Sequence, residues 1–316
     1  MSIDQASASI SWRFIQDGLC EGAVNMATDR ALLESCNAGE TGAVLRLYGW
    51  ARPTLTLGYA QKPDREIDRE RCRNRGIPVV RRPTGGRAIL HCHELTYALV
   101  VPIPHPQFPS DLMGAYDAVS QTLIASLRGL GLEKAQSVRP TESSSLSKPK
   151  AKRSGGRLAR VRYYESRFPG SPSGSPPEAE GNGMEGSPRF PSCFASADHR
   201  EIVIEGKKLV GSAQRRLSGA FLQQGTLLID LDREGITDVL RFDSPSTRDA
   251  HRVRLRDRTI ALSEALHRSV EFLEVADAIL RGFQIFFPGN WMKGELTSAE
   301  KGRRDAFLST GTLVEL

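Results

Sequence analysis

Residues 136–190 contain two Leu, two Val and no Ile. A stretch so poor in apolar side chains cannot bury enough surface to offset the entropy of ordering its backbone. The ordered core has to come from the blocks on either side. The stretch is therefore expected to be a disordered or loosely held insertion within a single domain spanning residues 1–316. Residues 148–167 hold eight Lys or Arg and one Glu, and a Pro/Gly/Ser-rich part follows. The basic part reads either as a solvated segment without a role or as an electrostatic docking strip for an acidic partner. Only Tyr163 and Tyr164 interleave its charges, so no nucleic-acid partner is expected.

The flanking blocks carry clear periodicities. Residues 22–38 predict a helix, with Val24, Ala27, Ala31 and Leu32 on one face and Gly39 as its stop. Residues 43–48, 54–59, 77–81 and 95–101 predict strands. A strong amphipathic pattern predicts a helix over 111–130 ended by Gly131. Residues 201–204 and 208–210 predict a hairpin around Glu205-Gly206, and 219–230 another strand. Residues 262–281 predict one helix with Leu273 on its apolar face and Gly282 as its stop. Residues 297–308 carry a capping-box signal ending in Glu300.

The chain is 39% hydrophobic and 25% charged, ordinary for a soluble globular protein. Its five cysteines (Cys20, Cys36, Cys72, Cys92 and Cys193) are odd in number, widely spaced and free of C-x-x-C pairs. That points to a reducing compartment and against a disulfide framework or cysteine zinc site. The opening residues lack a signal-peptide pattern, and no stretch approaches the roughly 18 apolar residues of a membrane span. A cytoplasmic protein with no membrane partner is expected.

Two constellations carry chemistry. The first is RRPTGGRAILHCHELTYAL, residues 81–99: a strand, a Gly-Gly turn and a second strand. Gly85 and Gly86 let the backbone approach a ligand and aim N–H groups at an oxygen. Arg82 and Arg87 flank the turn and suit carboxylate or phosphate recognition; the same residues also fit a tight hairpin with surface arginines. In a continuous strand, His91 and His93 face one side and Cys92 the other. No nearby residue completes a tetrahedral set, so no metal is expected.

The second is CFASADHREIVIEGKKLVGSAQRR, residues 193–216. A free thiol with a pKa of about 8.5 is only ~3% thiolate at pH 7. An adjacent ammonium that lowers it to ~7 makes about half of it reactive. Lys208, on the hairpin's return strand, is the local source of such a charge for Cys193. A buried inert cysteine and a solvated lysine are the alternatives. The small residues Gly211, Ser212 and Ala213 permit close approach of an acyl or pantetheine chain.

The ordered series NMATDRALL, LRLYGWARPTLTLGY, RRPTGGRAILH-x-HELTYALV, GKKLVGSAQRR and LQQGTLL resembles the biotin/lipoate protein ligase superfamily, and within it the octanoyltransferase branch. The likeness covers about residues 12–135 and 192–310. It implies an α+β fold with a mixed β-sheet flanked by helices. It implies a Cys193 acyl-thioester intermediate, with Lys208 lowering the thiol's pKa. The acyl site would be lined by Arg82, Thr84, Gly85, Gly86, Arg87, His91, Gly211, Ser212 and Ala213. Cys92 stands where relatives more often carry an acidic residue, and supplies a rival thiol. The insertion is longer than the family pattern.

The resemblance implies an octanoyl-acyl carrier protein as donor, and as acceptor a lysine of a lipoyl domain or glycine-cleavage carrier protein. Exchange between thioesters is nearly isoenergetic, so neither ATP nor another cofactor is expected. The acceptor lysine, with a free pKa near 10.4, is neutral in only about one molecule in 2,500 at pH 7. It needs desolvation or a base, for which His91 is the local candidate. The alternative within the same fold is an ATP-dependent lipoate–protein ligase, which does not need Cys193. A third reading is a non-catalytic protein that binds acidic domains through residues 148–167.

Overall fold

The computed structural model describes residues 10–138, 192 and 201–311. The first block runs β1 (Ser11–Cys20), α1 (Gly22–Asn37), β2 (Ala43–Trp50), β3 (Thr54–Leu57), α2 (Pro63–Glu66) and α3 (Arg69–Asn74). It continues with β4 (Val79–Arg81), β5 (Ile89–His91), β6 (Glu94–Pro102), α4 (Leu112–Gly129) and β7 (Gln136–Ser137). The second runs β8 (Ile202–Ile204), β9 (Lys207–Arg216), β10 (Ala220–Leu228), α5 (Arg233–Val239), α6 (Pro245–Arg258) and α7 (Leu262–Leu266). It ends with α8 (Phe272–Phe286), β11 (Asn290–Lys293) and α9 (Ser298–Ser309). All of these lie in one compact unit formed from both blocks.

The alternation in AVLRLYGW sets the layering. Ala43, Leu45 and Leu47 of β2 face one core, while Val44, Tyr48 and Trp50 face another. Strand β6 divides the same way, Leu95, Tyr97, Leu99 and Val101 against Ala98 and Val100. Buried on both faces, these strands lie in the middle of a mixed eight-stranded sheet ordered β11-β1-β2-β6-β10-β9-β8-β7. The pairs β1–β11 and β1–β2 are parallel, and the pairs from β2 across to β7 antiparallel. Helices α4 and α8 cover one face and α1, backed by α9, the other. This is the expected mixed sheet flanked by helices. A three-stranded sheet, β4-β3-β5, packs with α3, α5 and α6 around a third core that includes Leu55, Val79, Ile236 and Leu255.

The hairpin at Glu205-Gly206 forms as expected. Both residues have positive φ, 50° and 77°, the requirement of a two-residue type I′ turn. Three expectations need correction. Residues 262–281 are not one helix: His267 takes a left-handed conformation, φ 53°, and splits the stretch into α7 and α8. The break changes the helical phase, so Leu273 is exposed while Val275, Ala276, Ile279 and Phe283 face the core. Gly282 is not a stop; it lies inside α8, where a Cβ would come within 1.9 Å of Ser126 Oγ on α4, so it permits close helix packing. Residues 136–137, placed in the apolar-poor stretch, form β7 on the sheet edge, paired with Ile202 and Val203. Backbone pairing needs no apolar side chain there. The expectation of disorder beyond residue 138 falls on residues outside those described. Among the described residues, no helix is long and apolar enough to cross a membrane.

Candidate active site

The diglycine turn is built by close backbone approach. It connects β4 to β5 and folds against Gly58, where a Cβ would lie 2.0 Å from the carbonyl oxygen of Gly86. Gly86 itself has φ 97°, a conformation that favours glycine. Arg82 clamps the turn from within. Its guanidinium donates to the carbonyls of Gly85 (2.8 Å) and Arg87 (2.9 Å) and to Thr56 Oγ1 (2.6 Å). Buried to 5% exposure, it holds the loop's shape.

Beside the turn lies a small, narrow cavity. Arg82, Thr84, Gly85, Gly86 and His91 line it from the turn, and Gly211, Ser212 and Ala213 from β9. Arg87 does not line it; its side chain is exposed. Sequence reasoning missed the rest of the lining, where Met26, Tyr48, Trp50 and Ile89 supply apolar surface and Gln224, Gly225 and Thr226 come from β10. Gly225 is required: a Cβ there would meet Tyr97 at 2.2 Å and Ser212 Oγ at 2.7 Å. A glycine inside a strand pattern is the available signal of such an approach.

Two buried polar chains support the walls. In the first, Arg82 donates to Thr56 Oγ1, leaving the Thr56 hydroxyl to donate to His91 Nε2 at 2.7 Å. That assignment places the ring proton on Nδ1, which faces Glu94 Oε1. Thr96 also donates to Glu94 and accepts from Trp50, and the His91 ring stacks on Trp50 at 4.0 Å. Both His91 nitrogens are thus engaged. The continuous strand assumed for residues 91–93 is absent: β5 ends at His91, Cys92 is half-buried and His93 exposed. In the second chain, Thr84 donates to Gln224, which donates to Asp29 Oδ2 at 2.6 Å. Asp29 also accepts from Tyr48 and from Arg46, a 2.7 Å ion pair in which both side chains are fully buried.

Lys208 is no solvated hairpin residue. It is 1% exposed and paired with Glu201. It does not line the cavity: it precedes Gly211 on β9 by three residues, ~10 Å at the usual strand rise. A bulge at this point, with Val203 opposite Lys208 and Ile202 opposite Val210, shifts its side chain out of the strand's regular alternation. Cys193 lies outside the described residues. Its neighbour Ser192 is described, and is buried. It forms a parallel bridge with Ala88, two residues beyond Gly86, and its Oγ contacts His251 Nε2 at 2.7 Å.

The other thiols are poorly suited to attack. Burial raises the pKa of Cys92, and Asp232, Glu94 and Asp230 raise it further. Burial pushes Cys36 up to about 12 and, with Asp68, Cys72 to about 11. Cys20 is also raised by burial.

The lipoyl protein ligase A/B catalytic domain matches residues 21–284. The chain is 36% identical to an octanoyltransferase LipM from Kyrpidia tusciae over 92% of each chain. It is 31% identical to the octanoyltransferase LipM of Bacillus subtilis over 87% of this chain and 85% of that one. Among solved structures, an archaeal bipartite lipoate protein ligase from Thermoplasma acidophilum superposes with a TM-score of 0.67 at 19% identity, covering 95% of this chain and 92% of that one. A lipoate-protein ligase A bound with ATP gives 0.64 at 21% identity, with 95% of each chain covered.

Proposed function

The chain belongs to the lipoyl protein ligase A/B catalytic-domain family, and we propose from that premise that it transfers octanoyl from acyl carrier protein to a lipoyl-domain lysine through Cys193. The activity is that of a protein N-octanoyltransferase acting in lipoate biosynthesis, as in the relatives named octanoyltransferase LipM. The observation that carries the reading is the placement of Ser192: the residue before Cys193 is fixed beside the diglycine turn that lines the cavity.

In the proposed reaction the Cys193 thiolate attacks the carbonyl carbon of the donor thioester. The C–S bond to the phosphopantetheine arm breaks and that sulfur takes up a proton. The octanoyl chain lies along the apolar wall of Met26, Trp50 and Ile89, with its carbonyl at Gly85 and Gly86. The neutral amine of the acceptor lysine then attacks the Cys193 thioester. The C–N bond forms, the amine proton is lost, and Cys193 leaves as thiolate. Lys208 favours that thiolate. Its charge is buried and so little screened by water, although Glu201 beside it offsets part of its field. The acceptor is a lipoyl domain or a glycine-cleavage carrier protein, met in the cytoplasm.

No observation favours the ATP-dependent ligase. Arg82, which would suit a carboxylate or phosphate, bonds instead to carbonyls of its own loop. His91, with both nitrogens engaged, orients the wall. Intact-protein mass spectrometry after mixing with octanoyl-acyl carrier protein, without ATP, tests the proposal. One octanoyl mass is expected, lost in Cys193→Ala and kept in Cys92→Ala. Acylation that survives Cys193→Ala, or that requires ATP, defeats it.

A further inference from the structure

Helix α6 is the most polar long helix of the fold, with five arginines in fourteen residues, and it buries only His251 and Leu255. His251 is fully buried. An imidazole in such a place costs free energy unless its nitrogens are bonded, and a leucine would pack there without that cost. Both nitrogens are bonded, and the pattern assigns their roles. The Thr237 hydroxyl donates to the carbonyl of Arg233, so its oxygen accepts from His251 Nδ1–H at 3.2 Å. Nε2 is then the acceptor for the Ser192 hydroxyl at 2.7 Å. Burial also pushes the pKa of His251 down to about 4, so the ring stays neutral near pH 7 and Nε2 remains free to accept.

Ser192 is therefore gripped twice, through its backbone by Ala88 and through its hydroxyl by His251. The same helix reaches the other proposed catalytic group. Thr259, its C-cap, bridges Lys208, and the Ile260 N–H donates to the Lys208 carbonyl at 3.0 Å. Thr259 lies eight residue steps along from His251, a rigid span of ~12 Å.

We infer that α6 is a positioning element for octanoyl transfer, in which His251 fixes the chain at Ser192 so that Cys193 meets the acyl carbon, while the end of the helix fixes Lys208. This rests on Cys193 being the nucleophile. Ser192 and His251 touch no reacting atom; they act through the residue next to them. A group held about 1 Å from its productive place loses on the order of a hundredfold in rate. The hydroxyl bond therefore matters to the rate more than to the stability of a fold with three cores.

The test uses the full chain with octanoyl-acyl carrier protein, following first-turnover octanoylation of Cys193 by mass alongside thermal melting. Ser192→Ala is expected to melt within a few degrees of the parent, with the first-turnover rate down ~10- to 100-fold and the carrier-protein KM unchanged. His251→Phe is expected to be slowed similarly, the double variant no slower than the slower single one, and His251→Gln, which keeps an acceptor, partly restored. If His251→Phe does not fold, Ser192→Ala decides. Ser192→Ala acylating at the parent rate, or slowing by the two substitutions that multiplies in the double variant, overturns the inference. Octanoyl found on Cys193→Ala would remove the nucleophile and the inference with it. A parent-like Ser192→Ala beside an inert Cys193→Ala removes the inference alone.

Discussion

Arg82 shows how a residue can be found correctly and understood only in the fold. Its place beside a diglycine turn was legible in the sequence. Its occupation with acceptors on three residues, Thr56, Gly85 and Arg87, was not, because those acceptors are set by tertiary packing. Lysine cannot reach all three at once. Arg82→Lys is expected to cost about 1.5–3 kcal/mol, measured by denaturant unfolding, and to lower octanoyl transfer with it. Cys92 is the converse case. Sequence offered it as a rival thiol; burial raises its pKa, and three nearby carboxylates raise it further. Alkylation at pH 7.5 is expected to be much slower at Cys92 than at Cys193, as peptide mapping would show. The Asp29–Arg46 pair left no trace in the sequence, since Arg46 reads as the polar residue of an alternating strand. Both charges are fully buried, and Asp29→Ala leaves Arg46 with only the partly exposed Asp17 as counter-charge, so the substitution is expected to cost about 3 kcal/mol.

At the scale of elements, the periodic ones were legible: α1, β2, β6, α4, β8 and β10 formed close to the expected bounds, while β9, expected over 208–210, runs on to Arg216. The failures share a cause. The apolar spacing over 262–281 hides the break at residues 267–271, which opens on the left-handed His267, because spacing does not report φ. Strand β11 is four residues long and largely exposed, too short to show a period. Helix α9 was announced by its capping box, and its other attachment came only with the fold. Burial alone would raise the carboxyl of Glu300, but Arg13 and the Thr297 N–H hold it below the usual carboxylate range. A depressed folded value means the carboxylate contributes stability above its unfolded pKa of about 4.3, and that stability is lost as pH falls through the lower folded value. Glu300→Gln is therefore expected to melt earlier at pH 7, with the difference vanishing at pH values below the depressed pKa. At the α4–α8 crossing, Gly282→Ala meets Ser126 and is expected to cost about 1–3 kcal/mol.

For the whole molecule, the sheet is assembled from both halves of the sequence: β6 pairs with β10, and β1 with β2 and β11. That order was not legible, because strand pairing across more than a hundred residues leaves no local signal. The cavity inherits this, with one wall from residues 82–91 and another from 211–213 and 224–226. Replacing residues 140–189 by a short Gly/Ser linker is expected to leave Cys193 octanoylation in solution within a few-fold of the parent, checked by the same mass assay. A collapse of acylation would make that segment part of the reaction.

The short ladder joining Gln136 and Ser137 to Val203 and Ile202, extended by the Val138 N–H on Glu201, is a pair of gateposts. What hangs between them faces a closing cost that rises only with the logarithm of its length, about 0.6 kcal/mol for each doubling. Residues can thus be added or removed between Val138 and Ser192 at little cost in closure, while Ser192 keeps its own anchors on Ala88 and His251.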